Sequence, residues 1–263
     1  MIGDDGLIDD GFYCMDCFDG MAQIDDKSID MILCDLPYGT TRNRWDTVLP
    51  FDELWKEYER IIKDNGCMAL FSAQPFTTDL INSNRKLFRY DLIWDKVLPS
   101  GFLNAKKMPM RQHEVICIFY KNPPKYNPIM EIRGKPRDKG RKYTVNEDGY
   151  TCYGTYGAII SHNNEYYPKS ILTFSNGNHN DGRISSTQKP VVLCEYLIKT
   201  YTDVGDLVLD NCAGSCSTGI ACHNTGRRFI GFEKDKDIFE KANKRLTEHK
   251  AQLNLFDIGL ERK

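Results

Sequence analysis

Two apolar runs do most to limit what this chain can become. Met31–Cys34 and Leu207–Leu209 are unbroken, and each stops on an aspartate, Asp35 or Asp210, followed by turn residues. Short apolar runs of this kind read as strands buried on both faces, with helices above and below a mostly parallel sheet. The sequence supplies those helices. After Pro50, the residues Phe51, Leu54, Trp55, Tyr58, Ile61 and Ile62 share one helical face, and Asn65-Gly66 is the expected stop. CMALFSA, FRYDLIW, EVICIFY and RRFIGFE read as further strands. PFTTDLINSN, PVVLCEYLIKTY, STGIACHN and a charged segment from about Asp235 read as helices. The expectation is an α/β fold.

The rhythm breaks between Lys121 and about Ser186, where prolines, glycines and polar residues show little periodicity. A basic run (Arg133, Lys135, Arg137, Lys139, Arg141, Lys142) is followed by six tyrosines from Tyr143 to Tyr167. With 263 residues there is room for one core and a small extra lobe. A formal charge of −2 means that any affinity for nucleic acid comes from a local patch. Ten scattered cysteines, several inside apolar runs, read as reduced thiols. Cys14-x-x-Cys17 has no second pair and no nearby histidine, so no metal site is expected. No run is long enough to span a membrane.

Asn211-Cys212-Ala213-Gly214-Ser215-Cys216-Ser217-Thr218-Gly219 follows the second run as a tight turn opening a helix. Unpaired N–H groups and the helix dipole make such a turn an anion site. Glu233 ends the next strand, at the offset where a carboxylate grips a ribose hydroxyl. An ordinary βα turn beside a surface glutamate gives the same pattern. Cys216 stands where a diphosphate would need glycine, which disfavours a dinucleotide; a cofactor without a diphosphate, such as S-adenosylmethionine, escapes that objection.

Asp35-Leu36-Pro37-Tyr38 suits another task. An amine conjugated to an aromatic ring is a poor nucleophile. A carboxylate and a main-chain carbonyl that accept its two N–H groups favour a pyramidal nitrogen. Asp35 supplies the carboxylate, Pro37 stiffens the turn that aims the Leu36 carbonyl, and Tyr38 offers a flat face to a base swung out of its stack. A polar turn with a packing tyrosine is the plainer reading of the same four residues.

Taken together, these segments resemble the β-class DNA amino-methyltransferases found in phages, prophages and restriction–modification systems. DLPY is similar to the family's D-P-P-Y, DNCAGSCSTG to its glycine turn, RRFIGFE to its ribose-binding strand and MDCFDGM to its adenine-contacting segment. STQKP (186–190) and FLNAKK…RQHEVICIFYK also match, and the order is permuted, with the catalytic half first. Leu36, Asn211-Cys212 and Cys216 depart from the family pattern.

The resemblance implies a Rossmann-like fold with a mostly parallel seven-stranded sheet and helices on both faces. Residues 1–120 and 187–263 would form the catalytic domain, and 121–186 a target-recognition insertion. It assigns Asp35, Leu36, Pro37 and Tyr38 to the target amine. Asp16, Cys17, Asp35, Thr187, Lys189, Asp210, Asn211, Ala213, Gly214, Ser215, Cys216 and Glu233 would surround S-adenosylmethionine, with Lys189 near its carboxylate. No metal is called for, because a sulfonium methyl is already electrophilic.

Double-stranded DNA is the expected partner. Lys106, Lys107, Arg111, Arg133, Lys135, Arg137, Lys139, Arg141 and Lys142 are the expected phosphate contacts, and Asn163, Asn164, Asn176, Asn178 and Asn180 the candidates for reading base edges. A solvated loop is the plainer reading of that insertion. His113-Glu114 is expected to be structural or near the DNA. Asp35 favours adenine N6 as acceptor, with cytosine N4 as the alternative. Amide or RNA methylation and a DNA-binding module without catalysis are the other readings. At the tail, Gln252, Leu253, Leu255 and Phe256 (QLNLF, within 252–257) resemble the peptide that docks on the bacterial sliding clamp; a helix end tucked onto its own core fits equally. The expected setting is the bacterial cytoplasm, as monomer or homodimer.

Overall fold

The structure is a computed structural model that describes residues 10–40, 46–139, 161–176, 184 and 188–260, with side chains up to residue 252. The N-terminal half contains β1 (Gly11–Cys14), α1 (Cys17–Met21), β2 (Ile29–Asp35), α2 (Phe51–Ile61), β3 (Ile62–Ser72), α3 (Phe76–Ser83), β4 (Phe88–Ser100) and β5 (Arg111–Phe119). Then come β6 (Glu131–Lys139), β7 (Ser161–Tyr166) and β8 (Ile171–Thr173). The chain closes with α4 (Val191–Tyr201), β9 (Leu207–Asp210), α5 (Ser217–Asn224), β10 (Arg228–Glu233) and α6 (Lys236–Leu260).

One sheet has the order β1-β10-β9-β2-β3-β5-β4-β8. Only β5 runs against the others, pairing antiparallel with β3 and β4. The sheet is Rossmann-like and mostly parallel, with one strand more than expected, because three-residue β8 pairs with Ile93–Asp95 at the edge. Successive residues of β2 serve opposite layers. Ile29, Ile32 and Cys34 pack with Met21, Trp55, Tyr58 and Phe76 from α1, α2 and α3. Met31 and Leu33 pack with Leu197, Ile220 and Leu246 from α4, α5 and α6. Burial on both faces is why these strands carry no polar alternation.

Asn65-Gly66 does not stop α2. The helix ends at Ile61, and the pair lies inside β3. Ile62 already has extended geometry (φ −71°, ψ 137°), and the turn-forming residues become an irregularity where the register against β2 jumps from Ile29↔Ile62 to Met31↔Cys67.

Two compact units emerge, Pro128–Lys169 and the remainder of the chain. The flanks of the smaller unit belong to the larger one. Lys125 pairs with Asp203 and Asp206 at 2.9 Å each, and β8 is part of the main sheet. The smaller unit contains the β6–β7 antiparallel pair, which its polar sequence did not announce. α6 continues through Gln252 to Leu260, so QLNLF lies within this helix and not beyond it. Among the described residues, no helix is long and apolar enough to cross a membrane.

Candidate active site at the strand ends

β9 and β2 are neighbours in the sheet (Met31↔Val208, Ile32↔Leu209), and both end on a carboxylate at the same edge. Asp210 is buried and ties the glycine turn to α5. It accepts the Cys212 N–H at 3.2 Å and the Thr218 hydroxyl at 2.7 Å. Burial pushes its pKa up to about 6, with the charge of Asp35 adding to the rise. Gly214 (φ +49°) lets the chain turn tightly enough to donate its N–H to Glu233 Oε2 at 3.0 Å. The other oxygen of Glu233 accepts the Asp235 N–H at 2.7 Å. Burial raises the Glu233 pKa, against these N–H groups.

Cys216 adopts a left-handed φ of +58°, which explains why glycine suits this position. Its side chain is fully buried and lies over Gly219, where an added Cβ would come within 2.5 Å of the sulfur. The thiol therefore fills the core beneath the turn and leaves the crevice open. Burial pushes it up to about 12. Asn211 is buried as well, its Oδ1 accepting the Tyr58 hydroxyl at 2.5 Å. Cys212 is held as a thiol by hydrogen bonds with Cys17 and Cys34. Ala213 is buried, and its N–H donates to the Phe232 carbonyl at 2.9 Å, while the Ser215 carbonyl accepts Arg245 at 2.8 Å.

Asp16 caps α1, accepting the Phe18 N–H at 2.9 Å and Lys234 Nζ at 2.9 Å. The Lys234 contact holds its carboxyl below the usual range. β1 and β10 are paired (Cys14↔Glu233), and the Met15 N–H reaches the Glu233 carbonyl at 3.1 Å, so Asp16 and Glu233 stand at the ends of adjacent strands. Thr187 lies outside the described residues.

At the tip of β2, Asp35 has both oxygens engaged. Tyr38 donates its hydroxyl to Oδ1 at 2.8 Å, and Lys189 Nζ reaches Oδ2 at 2.6 Å. Leu36 is buried in the core and anchors the turn from below. Tyr38 is less exposed than the sequence suggested. Its ring stacks on Phe76 (centroids 5.1 Å apart, planes 26°), which hides one face. Lys189, expected at a cofactor carboxylate, is clamped between Asp35 and Glu114, whose Oε2 is 3.3 Å away.

Glu114 opens the buried stretch of β5, and Lys96 of β4 pairs with its other oxygen at 3.3 Å. A row of alternating charge, Lys96–Glu114–Lys189–Asp35, thus crosses the sheet edge. Burial raises the Asp35 pKa and Glu114 adds to it, with Lys189 opposing both. Burial alone would raise Glu114 too, but the two lysines bring it below the ordinary range. For Lys189 burial opposes the charge, yet its two carboxylates raise its pKa, and it remains an ammonium. The sequence marked Asp35, Lys189 and, as structural or near the DNA, Glu114, but gave no sign that the three meet, and Lys96 was not marked. The signal was a lone glutamate leading into the apolar run Val115–Phe119.

The expected DNA contacts divide between the two units. In the larger one, Lys106, Lys107 and Arg111 are exposed on and beside the β4–β5 connection. In the smaller one, Arg133, Arg137 and Lys139 gather around the Tyr166 ring at 5.0, 5.6 and 3.6 Å, with Lys135 exposed nearby. Asn163 and Asn164 bond within this hairpin, to Lys139 (2.7 Å) and to the Gly134 carbonyl (3.0 Å), instead of presenting free amides. The amide N–H of Asn176 donates to the Lys96 carbonyl at 3.3 Å. Arg141, Lys142, Asn178 and Asn180 lie outside the described residues, as do the side chains of Leu253, Leu255 and Phe256; Gln252 is exposed. Among the described residues, no group of histidine, cysteine or carboxylate side chains is placed to hold a metal ion.

A doubly wound sheet with a glycine turn and carboxylates at the ends of its strands defines an enzyme of the nucleotide-cofactor class, with its crevice beyond those ends. The family model described as DNA methylase matches residues 29–244, and the chain belongs to that family. It is 26% identical over 254 residues to the type II methyltransferase M1.MboII of Moraxella bovis, covering 87% of this chain and 93% of that relative. To the DNA adenine methyltransferase YhdJ of Escherichia coli it is 25% identical over 250 residues (86% and 79% covered). Its fold is similar to that of the M1.HpyAVI–SAM complex (TM-score 0.62, 22% identity, 89% and 98% covered) and of the cytosine-N4-specific PvuII DNA methyltransferase (TM-score 0.64, 16% identity, 91% and 86% covered).

Proposed function

We propose that this DNA methyltransferase transfers a methyl group from S-adenosylmethionine to the exocyclic N6 of an adenine swung out of the DNA duplex. The observation that carries this reading is the placement of Asp35 and the Gly214–Glu233 turn at the ends of neighbouring strands.

The crevice suits this cofactor. Glu233 and Asp16 supply carboxylate oxygens for ribose hydroxyls and an adenine amine, and the Gly214 N–H of the turn before α5 holds Glu233 in place. Cys216, the residue most at odds with a nucleotide site, keeps its sulfur in the core. When bound, the cofactor supplies an electrophilic methyl on a sulfonium.

The chain's own residues do the rest. Asp35 and the Leu36 carbonyl accept the two N–H groups of the target amine, which turns the nitrogen lone pair toward the methyl. Tyr38, backed by Phe76, gives the extruded ring a surface to stack on. Lys189 opposes the rise that burial imposes on the Asp35 pKa, and Asp35 orients the amine more than it deprotonates it, because the proton becomes acidic only as the new bond forms.

Adenine is favoured because an aspartate stands at position 35 and because YhdJ is named an adenine methyltransferase. Mass spectrometry of nucleosides from cells expressing the protein tests this. N6-methyladenine above background supports the reading, N4-methylcytosine instead moves the acceptor, and neither leaves a DNA-binding module. Long-read sequencing of the same DNA locates the methylated motif.

The tail is proposed separately as a sliding-clamp ligand, with Leu255 and Phe256 filling an apolar pocket and Gln252 hydrogen-bonding beside it. Clamp pull-down with and without residues 252–257 tests it, and equal recovery of the two forms refutes it.

A further inference from the structure

The β4–β5 connection carries the most exposed apolar side chains of the described residues. Leu103 is 96% exposed and Phe102 is 78% exposed, side by side in a short 3-10 turn (Phe102–Asn104). Val97, Leu98 and Met108 are exposed as well, making five large apolar residues between positions 97 and 108. Single exposed apolar residues are ordinary, but a concentration of this kind marks a surface that something covers. Leaving them in water has a cost that the fold does not recover internally.

Charge and position indicate what covers them. Lys106, Lys107 and Arg111 follow the turn, are exposed, and make no ion pair among the described residues. The feet of the same hairpin are the active-site row. Lys96 lies four residues before the end of β4 and Glu114 three residues into β5, and Ser100 pairs with Arg111 across them. Between Lys96 and the turn the strand is irregular, the register passing from Asp95↔His113 to Ser100↔Arg111 with Val97 at a left-handed φ of +64°.

Resting on the methyltransferase reading, we propose that Phe102 and Leu103 form an apolar wedge that enters the duplex beside the target and fills the space left by the extruded base. Lys106, Lys107 and Arg111 hold the flanking phosphates. A base that leaves its stack exposes the apolar faces of its neighbours, and inserted side chains that cover them lower the cost of extrusion. The wedge acts on extrusion and not on the methyl-transfer step.

Both residues are exposed, so Phe102→Ala/Leu103→Ala leaves the core intact. The substrate is a duplex containing the motif located by sequencing, with the target base either paired or opposite a mismatch. On the paired duplex kcat/KM is expected to fall about 10- to 100-fold, and on the mismatched duplex by less than about 3-fold, since a loosened base needs no wedge. A 2-aminopurine placed at the target position reports extrusion without methyl transfer, and its fluorescence rise on binding is expected to disappear in the double variant. Equal losses on both duplexes, no loss on either, or an unchanged 2-aminopurine signal would overturn the wedge. A change of oligomeric state in the variant without loss on the paired duplex assigns the surface to a second copy of the chain. If the wild type extrudes the base but methylates neither duplex, the methyltransferase reading fails and the wedge stands.

Discussion

Lys189 Nζ lies 2.6 Å from Asp35 Oδ2, which joins the segment before α4 to the tip of β2 across 154 residues of sequence. The same ammonium is 3.3 Å from Glu114, so one buried cation serves two carboxylates. The candidate catalytic carboxylate therefore depends on residues from three separate segments of the chain.

Lys189→Met leaves Asp35 buried without a cation. Breaking a buried pair in this way costs about 3–5 kcal/mol. The Asp35 pKa then rises further and that of Glu114 rises from its lowered position, so the folded variant binds protons more readily than the wild type does, and its loss of stability shrinks as pH falls. Urea unfolding is expected to show a larger loss at pH 7 than at pH 5.

Glu114→Gln removes a negative charge that raises the Asp35 pKa. Lys189, Tyr38 and, at the end of neighbouring β9, Asp210 remain to face Asp35. The Asp35 pKa falls, and the acid limb of kcat against pH moves to lower pH. A limb that stays in place while cofactor affinity is unchanged would show that Glu114 does not act on Asp35.

Asp210 is raised to about 6 by burial. A folded pKa above the unfolded value of about 3.9 means that its protonated form supports folding at low pH, and that this support is lost as pH rises through about 6. Asp210→Asn does not titrate. The stability of the variant minus that of the wild type is therefore expected to increase between about pH 4 and pH 6 and to level off above. Thermal melts across this window measure it.

Cys216 has a left-handed backbone and a buried thiol. Cys216→Gly and Cys216→Ala both remove the sulfur, but only alanine keeps the strained φ. Glycine is expected to be the more stable of the two by about 1 kcal/mol. The reverse order in denaturant titrations would mean that the turn relaxes once the thiol is gone.

Most of the sheet and both ends of the crevice were legible in the sequence, because an apolar run closed by a carboxylate or a glycine turn is a local signal. Asp35, Tyr38, Gly214 and Glu233 were found that way. The Glu114–Lys189 contact was not, since nothing in a sequence tells which distant charge a buried lysine will meet. The burial of Tyr38 against Phe76 was hidden for the same reason. Asn65-Gly66 misled because a turn signal inside a long strand serves equally as an irregularity in register. The β6–β7 pair is exposed along most of its length and lacks the apolar alternation by which strands are read.

Methyl incorporation from tritiated S-adenosylmethionine into DNA, compared for wild type and Asp35→Ala at saturating cofactor, bears most directly on the central claim. With calorimetry confirming that the variant still binds the cofactor, incorporation is expected to fall by at least about 100-fold. Incorporation at the wild-type rate would contradict the assignment of the amine to the tip of β2.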